Sequence, residues 1–363
     1  MTLKCHVSLA LLVAPLAAAA QGPVGDATFF HDFEDVTGNT ITALVGPVAT
    51  KSANIPVGST GTFCSSSSQH IQSPAAGFGN VATQVRLLTS TPSLSFSILY
   101  NARSDTSNRL KRLLTSFDGT GALPPSQLIF DRVRGGQLRL TTGGLAVLSD
   151  ASIPEDAGWH HAGFTFSNGT VQFFVDGAPF GATKLLGVST IAAQTHDWHL
   201  VEDVFAVSSM EEYWRGGSYD NAGLWTRTLS GPEMALLSAA PCAACAFRNG
   251  SGINPTDYSC VNGPVVGHDW MTTIAVTSQT AATFVVLGAA PATLPFGTGE
   301  FLLAPTASLA VLGATPVAGT HTVRIPSRVG LVGGRLSSQG VRLDGTTLDQ
   351  LVLLNAQDVT LGF

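Results

Sequence analysis

Two tight turns constrain this chain more than any other feature. Ser167-Asn168-Gly169 and Asp176-Gly177 flank the apolar run Thr170–Val175, and a second run, His161–Phe166, comes just before them. Asn-Gly and Asp-Gly supply the positive φ angles that two-residue hairpin loops require. The segment therefore reads as a meander of adjacent antiparallel strands. The same texture extends on either side. Leu94–Tyr100, Leu128–Arg132 and Gln137–Thr141 alternate or run apolar, with Gly135-Gly136 and Gly143-Gly144 as turn signals between runs. Short strands at such even spacing point to a sandwich or a jelly roll.

Composition agrees. Only 12% of the 363 residues are charged and 39 are glycine, against about 25% charged in an ordinary globular chain. Solvated helix faces usually carry Glu and Lys, and this chain has 4 Lys against 14 Arg. Low hydrophobicity with high charge, the signature of disorder, is absent. A net charge of −6 leaves no electrostatic case for a nucleic-acid partner. One helix stands out: Ser230-Gly231-Pro232-Glu233 reads as a capping box ahead of Met234-Ala235-Leu236-Leu237, with Pro241 as the stop.

The N-terminus reads as an address. Lys4, the apolar stretch Val7–Leu16 and Ala17-Ala18-Ala19-Ala20 before Gln21 form the pattern of a cleaved secretory signal over residues 1–20. The apolar run is shorter than the about 20 residues that span a bilayer. No later segment reads as a membrane anchor. Export then makes Cys64, Cys242, Cys245 and Cys260 candidates for two disulfides, in any of three connectivities. Cys242-Ala-Ala-Cys245 also has redox or zinc spacing. A zinc site would lack a second close pair of ligands, and a thioredoxin-like site would lack its βαβ setting, so structural bridges are the better reading.

Two domains are expected after the signal: residues 21–240, and a smaller all-β module over 241–363. In the second, strands are predicted at Met271–Thr277, Thr283–Leu287, Glu300–Leu303, Ser308–Leu312, His321–Ile325, Gly340–Leu343, Leu348–Leu354 and Val359–Phe363.

Several of these segments have a familiar form. Gly158-Trp159-His160-His161 with its apolar strand, the polar turn and the strand closing on Val175-Asp176-Gly177 resembles the signature hairpin of laminin-G-like jelly rolls, in the concanavalin A-like lectin/glucanase superfamily. Tyr219–Ser230 with Glu233 resembles that family's final strand and short helix. Phe30–Asn39, with Phe33 as a buried aromatic, resembles its opening strand and loop. The resemblance covers about Asp26 to Ala239 and implies a jelly-roll β-sandwich. Arg248–Pro255, Phe296–Leu303 and Leu354–Phe363 resemble a C-terminal module appended to secreted bacterial proteins, which implies only a secreted, bacterial setting.

The superfamily includes glucanases, so carboxylate pairs matter. A retaining glycosidase needs two carboxyl groups about 5–5.5 Å apart, which strand alternation supplies at i and i+2. Glu155-Asp156, Glu202-Asp203 and Glu211-Glu212 are adjacent and would face opposite ways; Asp32 and Glu34 alone alternate correctly, and an exposed edge is the simpler reading of that pair. No Gly-x-Ser-x-Gly elbow occurs. His160 and His161 would point to opposite faces, which favours packing over metal ligation, and His196-Asp197-Trp198-His199 reads as a solvated loop. No catalytic residue is assigned.

Binding is the remaining class. Sugar recognition needs an aromatic platform with carboxylates and amides around it. Tyr213, Trp214 and Arg215 with Glu211 form the best such cluster. Relatives in the resembled family often hold Ca²⁺, and Asp32, Asp35 and Asp220 fall in segments that could converge on one ion. The expectation is a secreted, non-catalytic protein that recognises carbohydrate or a cell-surface partner. The alternative is a structural or protein-interaction protein with no small-molecule site, and a glycoside hydrolase ranks below both.

Overall fold

A computed structural model describes residues 26–363 apart from 35, 54, 56, 60–68, 73–78, 102–110, 117–126, 134, 154–155, 157, 201–216, 240–241, 306–309, 316–318, 327–330, 348–349 and 363. The chain divides into two compact units, essentially Gly22–Cys242 and Ala243–Gly362.

The first unit is a sandwich of two antiparallel sheets. One sheet runs Ala178–Pro179, Thr170–Val175, Trp159–Ser167, Ser93–Asn101, Ser218–Trp225, Gln69–Gln72 and Val57–Ser59, with Phe29–His31 added beside Ser218–Trp225. The other runs Leu145–Ser152, Gln137–Thr142, Leu128–Arg132, Lys111–Thr115, His199–Leu200, Val81–Ala82 and on to Val36–Thr37. Alternation sends Leu94, Phe96, Ile98 and Tyr100 inward from one central strand. They meet the second sheet across rings: Phe130 lies 5.8 Å from Phe96 and 5.0 Å from Phe164. Leu94–Tyr100, Leu128–Arg132, Gln137–Thr141, His161–Phe166 and Thr170–Val175 are strands as the alternation predicts, the remaining strands were not read from that pattern, and the all-β jelly roll is the observed fold.

The turns explain the register. Asn168 and Gly169 adopt φ of 46° and 89°, and Asp176 and Gly177 adopt 47° and 77°. Both hairpin residues are left-handed at each turn, which suits the twist of the flanking strands. Gly177 has a second reason to be glycine: a Cβ there would lie 2.8 Å from the Ala235 Cα in the helix.

That helix, Gly231–Ala239, buries Met234 and Leu237. Its cap differs in detail from the expected box. Glu233 accepts from the Ser230 N–H at 2.7 Å and from the Ser230 hydroxyl at 2.8 Å, so the Ser oxygen donates to the carboxylate. Arg227 adds two bonds to the same carboxylate, at 2.6 and 3.0 Å. Its guanidinium, more than burial opposes it, holds the Glu233 carboxyl at about 2.

The second unit has three sheets. Its largest runs Ala244–Arg248, Leu351–Thr360, Arg335–Asp344, Thr280–Gly288 and Ala310–Thr315. One face packs Val285 and Leu354 against Tyr258 and Ile274, which belong to the three-stranded sheet Tyr258–Cys260, Asp269–Ile274 and Thr320–Arg324. The third sheet is a hairpin, Pro291–Phe296 with Gly299–Leu303.

Three expectations are corrected. Leu348–Leu354 and Val359–Phe363 are not two strands; Leu351–Thr360 is continuous. Asn355 and Gln357, between the two predicted strands, are buried in mid-strand and satisfy the backbone of Tyr258, through bonds of 2.8 and 3.2 Å to its carbonyl. His196–His199 is not a solvated loop throughout: Trp198 is fully buried, and His199 sits in a sheet strand. Finally, Asp32 is buried rather than exposed. The opening strand ends at His31 and Phe33 turns left-handed at φ 58°, so strand alternation never applied to Asp32 and Glu34.

Candidate functional site

The outward face of the first sheet carries rows of polar residues set by its register. Trp159 lies opposite Asn101, Asn101 opposite Ser218, and Ser218 opposite Gln72. The next row holds His161, Leu99 and Asp220, and the row after it Gly163, Ser97 and Gly223. His70 shares the face of Gln72, two residues away, and their ring and amide nitrogens meet at 3.1 Å. The His70 ring packs edge-on to Trp159 at 5.7 Å. Because Asn101 and Ser218 lie on the strands between them, the two rings reach across that row. Asn101 and Ser218 are buried, and Trp159 and Gln72 stay half-buried at its ends.

A β-bulge shapes the adjoining corner. Between Asp220 and Gly223 the final strand carries one residue more than its partner. Asn221 falls there, left-handed at φ 48°, and buried. Its side-chain oxygen has no hydrogen-bond partner among the described residues. Asp220 accepts the Asn221 N–H at 2.9 Å. Burial, then the charges of Glu34 and Asp32, push the Asp220 carboxyl well above the usual carboxylate range. Glu34 itself accepts from the Gln69 N–H at 3.1 Å.

The structure thus brings Asp32 and Asp220 into electrostatic reach of one another, with Glu34 rather than Asp35 as the third group observed. Asp35 lies outside the described residues. Ca²⁺ takes six to eight oxygens. Among the described residues no group of three or more His, Cys, Asp or Glu is arranged to hold a metal ion. The described side chains therefore do not by themselves make up a calcium site. Glu211, Tyr213, Trp214 and Arg215 lie outside the described residues, as does Cys64. Cys245 pairs with Cys260 at an S–S distance of 2.10 Å, and Cys242 is also disulfide-bonded. The Cys-Ala-Ala-Cys spacing is therefore neither a free dithiol nor a zinc clamp.

Two histidine sites show what the arrangement can do chemically. His161 Nε2 and Ser97 Oγ are 2.9 Å apart, the spacing of a base and a nucleophile. The Gly177 N–H points to Nδ1 at 3.4 Å. A neutral ring accepting there carries its proton on Nε2, so the nitrogen facing Ser97 is a donor and not a base. Both residues are buried, and burial lowers the His161 pKa to about 4 against an opposing pull from Asp176. His160 faces the other way, as strand geometry predicts. It bridges Asp156 at 2.9 Å and Asp176 at 3.0 Å. Burial pulls its pKa down, but the two carboxylates outweigh that and raise it.

The opposite sheet presents a charged row. Asp131 is buried and takes Arg112 at 3.1 Å and Arg139 at 2.7 Å. Neither this row nor His70, Gln72, Asn101 and Ser218 was singled out from sequence. The available signal was the polar alternation of Ser95, Ser97 and Asn101 within Ser93–Asn101, since a strand with a solvated outer face reads the same way.

Residues 75–235 match the family model of the concanavalin A-like lectin/glucanases superfamily. Curated proteins give no match to this sequence. Among solved structures, a Trypanosoma rangeli sialidase is similar at 13% identity and a TM-score of 0.42, covering 60% of this chain and 33% of its own. A native SAP-like pentraxin from Limulus polyphemus has 14% identity and a TM-score of 0.36, covering 48% of this chain and 82% of its own. Domain 4 of AbnA, a GH43 extracellular arabinanase from Geobacillus stearothermophilus in complex with arabinotriose, has 16% identity and a TM-score of 0.39, covering 59% and 98%. The chain spans about a third of the length of the sialidases it matches.

Proposed function

From the premise that residues 75–235 form a concanavalin A-like lectin/glucanase domain, we propose that this is a secreted, non-catalytic binding protein whose jelly roll recognises carbohydrate. The observation that carries the reading is the outward row of the first sheet. Half-buried Trp159 offers a ring face for C–H groups and the half-buried Gln72 an amide for hydroxyls, while the buried Asn101, Ser218 and His70 lie between them and hold the row in place. The buried Ser97–His161 pair, with its proton on the wrong nitrogen, favours binding over hydrolysis. Secretion rests on the signal pattern of residues 1–20 and is compatible with the Cys245–Cys260 disulfide.

A glycan array probed with the full chain tests the proposal, alongside Trp159→Ala and Gln72→Ala. A defined glycan set is expected, with affinity falling about tenfold or more in Trp159→Ala and thermal unfolding little changed in Gln72→Ala. A chelator arm reports any dependence on divalent cations. Silence across all glycans, or binding indifferent to both substitutions, would transfer the assignment to a protein-interaction role.

A further inference from the structure

The second unit contains a cleft that nothing above uses. On the face of its large sheet opposite Val285 and Leu354, Phe284, Val341 and Leu353 lie side by side across three strands. The hairpin Pro291–Phe296/Gly299–Leu303 stands over this face without filling the gap. The space left is a cavity of about 550 Å³, and Leu294, Phe296 and Phe301 form its hairpin wall. Among the described residues, every side chain that lines it is aliphatic, aromatic or proline. A second cavity of about 460 Å³ adjoins it and shares Phe296, Leu351 and Leu353 as a common wall. There the lining changes to the Gly297-Thr298-Gly299 turn with Asn254 and Pro255.

We propose that this two-part cleft is a binding site for a small uncharged molecule with a hydrocarbon body and a neutral hydroxyl or amide head. Three observations select that occupant. The first is charge: among the described residues, neither cavity is lined by an Asp, Glu, Lys, Arg or His. A charged group placed inside would lose its hydration with nothing to replace it. The second is the division of polarity. Polar atoms are confined to the turn-lined half, which matches a ligand that is apolar at one end. The third is the backbone. Phe284, Val341 and Leu353 are already paired strand to strand in the floor, so a peptide laid across it finds no free ladder to extend. A volume of this size is typical of small-molecule sites, and Leu294 and Phe296, 40% and 58% exposed, leave the cleft open to entry. The proposal is independent of carbohydrate recognition by the first unit.

A matched pair of fluorescent probes tests it on the full chain: N-phenyl-1-naphthylamine, which is neutral, and 8-anilinonaphthalene-1-sulfonate, which adds one negative charge to the same rings. The neutral probe should bind saturably, about tenfold or more tighter than the sulfonate. Phe296→Ser and Leu294→Glu alter exposed hairpin side chains, and Val286→Trp fills the floor from a third position. Each should weaken the neutral probe about tenfold without lowering the unfolding temperature of the second unit, which carries all three positions. Equal affinity for both probes, or no loss in Phe296→Ser and Val286→Trp, overturns the proposal. So does a dimer in light scattering that Leu294→Glu dissolves, because the cleft would then be covered by a second copy.

Discussion

At the scale of single residues, the corner of the polar face is governed by Asn221. Its left-handed conformation is the extra residue of the bulge that separates Asp220 from Gly223. Asn tolerates φ 48° because its short polar side chain costs little there, whereas a β-branched side chain is strained. Asn221→Gly is therefore expected to unfold within about 1 kcal/mol of the parent. Asn221→Val should lose about 1–3 kcal/mol and shift the Asp220 side chain. Urea unfolding of the two variants checks this, and equal stability for Val and Gly would mean the bulge is not held at that residue. The place of Asp220 on the final strand was legible because it falls in a recognisable segment, Tyr219–Ser230. Its bulge was not, because Asn221-Ala222-Gly223 carries no local mark separating a bulge from continuous strand.

At the scale of elements, what was legible depended on whether a local rule decided the outcome. The hairpin at Asn168-Gly169 and the Ser230–Glu233 cap are written into three or four residues; the hairpin forms as expected, and the cap forms with the Ser230 hydroxyl donating to Glu233. Leu351–Thr360 is the opposite case. Asn355 and Gln357 look like a break, but they lie mid-strand because the Tyr258 segment packed against them needs their amides. No window of local sequence contains that partner, 97 residues away. The cysteines fall between these cases: their spacing allowed three pairings, and packing selects Cys245–Cys260 across 15 residues. Closing a loop of that length removes entropy from the unfolded chain, worth about 3 kcal/mol. Cys245→Ser with Cys260→Ser should cost the second unit about that much, and reductant should destabilise the parent by a similar amount. A double variant as stable as the parent would show that native packing alone holds those strands.

At the scale of the whole molecule, the first unit is built to lose stability in acid. His31 is stacked between Phe29 and Phe33 in the core, with centroids 5.4 and 6.2 Å away and, among the described residues, no hydrogen-bond partner for either ring nitrogen. Burial lowers its pKa to about 4, and burial does the same to His161 and His199. All three stay neutral in the folded protein at a pH where the unfolded chain has begun to protonate them. Their contribution is therefore complete above about pH 6.5, the unfolded value, and is lost as pH falls toward about 4. Asp220 acts with the opposite sign. Its raised pKa makes its protonated form the better tenant, so acid relieves part of its cost. Each buried histidine adds up to about 1.4 kcal/mol per pH unit to the slope between those limits, and His160, whose raised pKa acts in the same sense as that of Asp220, offsets part of it. Because His31 sits among phenylalanines without a polar partner, His31→Phe should raise stability at pH 5 more than at pH 7.5. Denaturant unfolding at both values measures the difference, expected at about 1 kcal/mol or more. If His31→Phe leaves the pH slope unchanged, the acid sensitivity lies in His161 and His199, whose rings do have polar neighbours.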